Sequence, residues 1–271
     1  MRRITVAMWI AALAAMAAVG LAPSDAAATP DPNSAVFNLR VFNDCPTSEV
    51  TTEDDYPALV AIQDAVLDCA GFANLHNWQF SENDIDPAVF NNDDSFRFGA
   101  TLVITGATDS EAGLLLSPWW AQDVDGRFNC RTTDGEIACF GGRLPFYSFT
   151  AEHGINYVKG DPIYLEMTYL PNSLTEEDPA TIEYLLIYDG MEYSSGPLAF
   201  DMGNPDEDPP YGLWGILNDA RAGGYIQCFL DEGNPDAWVR ADWNDIDYEI
   251  IPTEPTATKE ATWGGVKATY K

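Results

Sequence analysis

Ala241–Ile250 reads ADWNDIDYEI. Ile246, Tyr248 and Ile250 alternate with Asp245, Asp247 and Glu249. A period of two places the apolar side chains on one face of an extended chain and the carboxylates on the other. The same alternation recurs upstream, where Phe96, Phe98, Ala100, Leu102 and Ile104 share one face and Arg97, Gly99, Thr101 and Thr105 the other. Between these two strands lie Ala112–Ser117, Ile163–Tyr169, Thr181–Tyr188, Met191–Ser194, Gly212–Asn218 and Gly224–Leu230. They are separated by Gly, Pro, Asn and Asp, with turn signals at Asp189-Gly190 and Arg221–Gly224. Many short strands joined by turns specify two packed antiparallel sheets and argue against a parallel α/β core. One segment, Tyr56–Asp68 (YPALVAIQDAVLD), fits a short N-terminal helix. Leu59, Ile62 and Val66 would line one side, and the acidic Thr52–Asp55 lead-in suits a helix start. A strand is the alternative, because Val and Ile also favour extended chain.

The N-terminus has the form of a signal peptide. Arg2 and Arg3 precede an apolar run from Ile4 to Leu21, and Ala26–Ala28 supplies small residues for cleavage. A retained anchor is the alternative, although the run is only about long enough to cross a bilayer. The expected organisation is a leader over 1–28, one β-sandwich over 29–251 and a flexible tail over 252–271, the tail rich in Pro, Thr, Lys and Ala. Cleavage would place the protein outside the cytoplasm, secreted, periplasmic or at the cell surface, with no membrane span left. The formal charge of −30 makes nucleic acid and anionic lipid poor partners. It is open to three readings: a solvated surface, bound calcium, or steering of a cationic partner.

Export permits disulfides. Five cysteines stand at 45, 69, 130, 139 and 228. Asp134-Gly135 reads as a two-residue hairpin turn, which sets Thr133 opposite Glu136 and Cys130 opposite Cys139, within bridging distance. Cys45 and Cys69 bracket the N-terminal segment and are the second expected pair. Cys228 is then left over, either buried and free or intermolecular.

Four segments together suggest a family: Glu111–Trp120 (EAGLLLSPWW), Ile163–Tyr169 (IYLEMTY), Ile182–Gly190 (IEYLLIYDG) and the closing Ala241–Ile250. Their order resembles the concanavalin A-like lectin/glucanase superfamily, including laminin-G-like sandwiches, over roughly residues 72–251. The resemblance implies an all-β, antiparallel two-sheet jelly-roll. Such domains bind glycans or proteins, and some cut polysaccharides, so the fold alone does not choose among them.

Glucanases of this fold carry Glu-x-Asp-x-Glu on one strand, and the sequence has no such run. Glu82-x-Asp84-x-Asp86 comes nearest and runs into Pro87. His76 and His153 are far apart, and no serine-hydrolase or zinc-protease motif occurs. His76 therefore reads as an ordinary strand residue. Asp123-x-Asp125-Gly126 with Asn129 offers oxygens at alternating positions, a pattern suited to calcium, and Asp201–Asp208 is a second acidic loop. Trp119 and Trp120 are adjacent, so an extended chain turns one of them outward. With Trp214, Asn218, Asp219, Arg221 and Tyr225 they make a candidate sugar surface of aromatic faces, donors and acceptors. The reading is a carbohydrate-binding module, with a structural or adhesive protein that contacts another extracellular protein as the alternative.

Overall fold

A computed structural model describes residues 28–118, 126–200 and 214–252. In chain order the strands are β1 (Ser34–Asn43), β2 (Glu49–Asp55), β3 (Leu59–Ala65), β4 (Ala73–Ser81), β5 (Phe96–Gly106), β6 (Ser110–Pro118), β7 (Arg127–Arg131), β8 (Ile137–Phe140) and β9 (Tyr147–Ser148). After a short helix, α1 (Phe149–His153), come β10 (Ile163–Leu170), β11 (Thr181–Tyr188), β12 (Met191–Ser194), β13 (Leu198–Ala199), β14 (Ala220–Phe229) and β15 (Trp238–Ile250). They form two antiparallel sheets. The first has seven strands in the order β1-β4-β14-β6-β7-β8-β9. The second has eight, ordered β12-β11-β10-β5-β15-β3-β2 with β13 alongside β11.

The core lies between the sheets and follows from the alternation. In β5 the expected face of Phe96, Phe98, Ala100, Leu102 and Ile104 is fully buried. It meets Trp78 and Phe80 from β4, Leu114 and Leu116 from β6 and Phe128 from β7. Trp78 and Trp243 pack edge to face, with ring centroids 6.1 Å apart. Gly224 makes room for them, since a β-carbon there would come within 2.6 Å of the Trp243 Nε1. Burial of aromatic rings on this scale is the main stabilising term of such a sandwich.

Three sequence expectations are corrected or refined. Tyr56–Asp68 is not helical. Leu59–Ala65 is a central-sheet strand paired with β2 on one side and β15 on the other, and the acidic lead-in is β2 itself. Val60, Ile62 and Asp64 point inward at a spacing of two, and pairing on both edges outweighs the helical reading of the apolar run. The helix among the described residues is α1, capped by Ser148, whose side chain accepts from Ala151 N–H, and closed by left-handed Gly154.

Cys130 and Cys139 do not face each other. Cys130 is opposite Ile137, and Cys139 is opposite Phe128. Both are free buried thiols, as is Cys228, whereas Cys45–Cys69 is a disulfide as expected. The register moves because the connection is four residues long, closed by Arg131 N–H to Glu136 O at 2.9 Å. Thr132 is drawn away to the β5–β6 turn. Its N–H donates to Ser110 O, and its hydroxyl donates to Asp109 Oδ1. Asp134 O and Gly135 O are held from outside by Asn156 and the Tyr157 N–H.

At one edge of the eight-stranded sheet, β2 exposes Glu49, Glu53, Asp54 and Asp55. No helix among the described residues is long and apolar enough to cross a membrane.

Candidate functional site on the outer face of the seven-stranded sheet

Alternation gives this sheet a second face, turned away from the core. There the registers of five pairings line up one continuous rung. Asn38 pairs with Asn77, Asn77 with Tyr225, Tyr225 with Gly113, Gly113 with Asn129, and Asn129 with Ala138. The next rung on one side holds Gln79, Gly223, Leu115 and Arg127, and the rung on the other side holds Leu75, Gln227, Glu111 and Arg131. An outer sheet face rich in amides and charges would ordinarily be well hydrated. Here Asn77 is 4 % exposed, and Tyr225 and Asn129 are fully buried.

Gly113 shapes the centre. A β-carbon at that position would collide with the Phe128 carbonyl oxygen, so the rung has no side chain on β6. Tyr225 spans the gap and donates its hydroxyl to Asn129 Oδ1 at 2.8 Å. The Arg127 guanidinium lies 4.7 Å from the Tyr225 ring centroid, a cation–π contact. Its Nη1 donates to Glu111 Oε1 at 2.6 Å and to Gln227 Oε1 at 3.1 Å. Burial pushes the Glu111 carboxyl above its ordinary range, and the charge of Arg127 offsets part of that rise.

Two amide atoms in the central rung have no hydrogen-bond partner among the described residues: Asn77 Oδ1, an acceptor, and Asn129 Nδ2, a donor. Turning the Asn129 amide over would only exchange which of its atoms is left unpaired. A further buried donor on this face, Arg221 Nε, also has no partner among the described residues, and burial lowers the pKa of that guanidinium. Each such group costs about 1–3 kcal/mol unless something satisfies it.

The structure brings together Arg221, Tyr225 and Asn129 from the sequence-derived set, in roles different from those expected. Tyr225 is not an exposed platform, since its ring is buried under Arg127. Asn129 accepts from the Tyr225 hydroxyl on its Oδ1. Asn218 Oδ1 accepts from Asn92 N–H in the turn before β14, where Asp219 is exposed and left-handed. Trp214 is partly buried, with its carbonyl accepting from Ala180 N–H. Trp119, Trp120, Asp123, Asp125 and the Asp201–Asp208 loop lie outside the described residues. Asn77, Gln79, Glu111, Arg127 and Gln227 were not anticipated. The Glu82–Asp86 segment is a turn, with exposed Glu82 accepting from Asp31 N–H and Asp84 left-handed, so its carboxylates do not share a strand face.

A second polar group sits between the sheets, where Asp64, His76 and Cys228 bring their ligand atoms within 4.8 Å of one another. Asp64 Oδ2 accepts from Asn74 Nδ2 at 2.7 Å and from His76 Nε2 at 2.9 Å. Burial works to raise the Asp64 pKa, but hydrogen bonds from His76, Asn74 and Ser48 outweigh it and hold the carboxyl below its usual range. The donor set would suit zinc, but the histidine does not. His76 Nδ1 accepts from Arg40 N–H at 2.9 Å, which fixes the ring proton on Nε2. A metal on Nε2 would move that proton to Nδ1, against the Arg40 N–H, whereas histidine ligands ordinarily donate from the second nitrogen to an acceptor. The group is a strut joining β3 to β4 beside the Cys45–Cys69 disulfide. Asn74 reinforces it by accepting from Cys45 N–H.

No family model and no curated protein matches the sequence. Among solved structures, the chain is similar to an alginate lyase from Klebsiella pneumoniae (TM-score 0.48, 9 % identity, covering 83 % of this chain and 98 % of that one). It is also similar to the family 7 alginate lyase A1-II′ (0.42, 8 %, 75 % and 83 %) and to peanut lectin (0.32, 10 %, 81 % and 98 %). The strand topology defines the class: an antiparallel two-sheet jelly-roll β-sandwich.

Proposed function

We propose that this is an exported carbohydrate-binding protein whose ligand lies on the outer face of the seven-stranded sheet. One observation carries the reading. A buried acceptor, Asn77 Oδ1, and a buried donor, Asn129 Nδ2, stand unpartnered in the same rung on either side of Tyr225. A sugar hydroxyl both donates and accepts, so a row of hydroxyls satisfies both kinds of group with one chemistry. The surrounding amides of Gln79 and Gln227 extend the same pattern, and the Arg127–Glu111 pair adds charge-assisted bonds without net charge. Export rests on the N-terminal sequence alone.

The test is a binding screen of the purified protein against a glycan array and insoluble polysaccharides, once with calcium and once with chelator. Saturable binding supports the reading, and its loss on chelation would add a calcium role for the Asp123–Asp125 loop. Silence across both panels from demonstrably folded protein overturns it and transfers the assignment to contact with another protein.

A further inference from the structure

We propose that a cleft on the outer face of the eight-stranded sheet holds the Trp263–Lys267 segment (WGGVK) of this same chain. The cleft is on the opposite side of the sandwich from the amide rung, so the inference is independent of the carbohydrate reading. Its floor is one rung of the sheet: Thr101 on β5, Tyr164 on β10 and Ile187 on β11. Ala100, Leu165 and Leu186 beside them are buried in the core, so these three turn outward. The loop over 156–162 and the Asp189-Gly190 turn form the walls around about 740 Å³, a size suited to a bound group. The loop wall is fixed in place. Tyr157 is buried, with its hydroxyl donating to Asp161 O and accepting from Ile104 N–H. The Tyr188 hydroxyl donates to Asp161 Oδ2 at 3.1 Å and accepts from Val158 N–H at 3.0 Å.

The lining is apolar and acidic at once. Val158 is 56 % exposed and Ile187 40 %, Pro162 adds a third apolar wall, and the carboxylates of Asp161 and Asp189 stand beside them. No Lys, Arg or His is among the described lining residues. Such a site suits an apolar side chain followed closely by a cation. The chain supplies that combination. Of its four lysines, Lys159 pairs with Asp109 at 3.1 Å, and Lys259, Lys267 and Lys271 all stand beyond residue 252. The same stretch contains Trp263 and Val266 and sets three lysines against two glutamates, in a chain whose formal charge is −30. An acidic body attracts such a segment. The β2 edge exposes carboxylates and threonines, so it lacks the apolar wall that an indole ring needs. Reach is sufficient. Ile250 at the end of β15 pairs with Phe96, five residues along β5 from Thr101. At about 3.4 Å per residue and about 4.8 Å between strands, the cleft is roughly 20 Å from there. The eleven residues that follow Pro252, up to Trp263, extend to about 36 Å.

The experiment is carbodiimide cross-linking of the full chain, which joins an amine to a carboxylate it touches. An equal mixture of unlabelled and isotope-labelled protein is used, and the links are mapped by mass spectrometry. Lys267 should be joined to Asp161 or Asp189 within one molecule. Trp263→Ala keeps every charge and should lower that yield at least tenfold. Ile187→Arg, at an exposed position, should do the same. No link from Lys267, links spread over the acids of β2 and β15, or a yield unchanged in Trp263→Ala would overturn the cleft assignment. Links that join labelled to unlabelled protein would overturn docking within one chain.

Discussion

Tyr225 and Asn129 are joined by a 2.8 Å hydrogen bond across a strand that contributes only Gly113 between them. The tyrosine thus fills the space that a β6 side chain would occupy and fixes the orientation of the Asn129 amide. Removing the hydroxyl with Tyr225→Phe keeps the ring and strands both amide atoms of Asn129. The expected cost is about 1–3 kcal/mol in denaturant unfolding. A variant as stable as the wild type would show that the bond contributes nothing.

Asn77 should behave in the opposite sense. Its Oδ1 is buried without a partner, so Asn77→Leu, of similar size, removes an unsatisfied acceptor. We expect a melting temperature at or above that of the wild type, together with at least tenfold weaker polysaccharide binding. Groups held unsatisfied for a ligand commonly trade stability for function in this way. Lower stability with unchanged binding would place Asn77 in a purely structural role.

The Asp64 strut makes stability depend on acid. Its folded pKa is depressed, so its contribution is complete above the unfolded value of about 4. That contribution drains as pH falls through the lower folded value. Asp64→Asn has no such group to protonate. Its melting temperature should lie below that of the wild type at pH 6, and the two curves should converge between pH 4 and pH 2. Parallel curves over that range would mean that Asp64 does not titrate with folding.

Thiol counting checks the β7–β8 register. Cys130, Cys139 and Cys228 are free and buried, and burial pushes their thiols far above the ordinary range. Native protein should resist alkylation at neutral pH, because the reactive thiolate is not formed. Unfolded but unreduced protein should release three reactive thiols, with Cys45–Cys69 intact. A count of one would restore a Cys130–Cys139 bridge and the two-residue turn.

Much of the sandwich was readable because local alternation carries it. The five inward residues of β5 and the inward Ile246 of β15 needed no knowledge of their partners. β3 was misread because Val60, Ala61 and Ile62 are buried consecutively, a run that suits helix and strand equally. β4 hid its two faces for a related reason: every residue from Ala73 to Ser81 is buried, so no polar–apolar rhythm marks which side meets the core. The hairpin register depended on Thr132 bonding to a turn more than twenty residues earlier. Arg221, Tyr225 and Asn129 could be singled out by residue type. Their alignment with Asn77 could not, because a rung exists only once four strands distant in sequence have taken their registers. Gly113, set between Ala112 and Leu114–Leu116 in β6, was the one local sign that something must cross there.

The acidic rim formed by β2 governs how these molecules meet one another. The outer edge of a sheet is a template onto which a second chain can add, and long flat edges are where β-proteins begin to polymerise. Here an approaching copy of the same strand would bring Glu49, Glu53, Asp54 and Asp55 against their own counterparts. Fibrillar growth from that side is therefore opposed by like-charge repulsion. Salt screens such repulsion, so concentrated brine is the condition in which this safeguard weakens first.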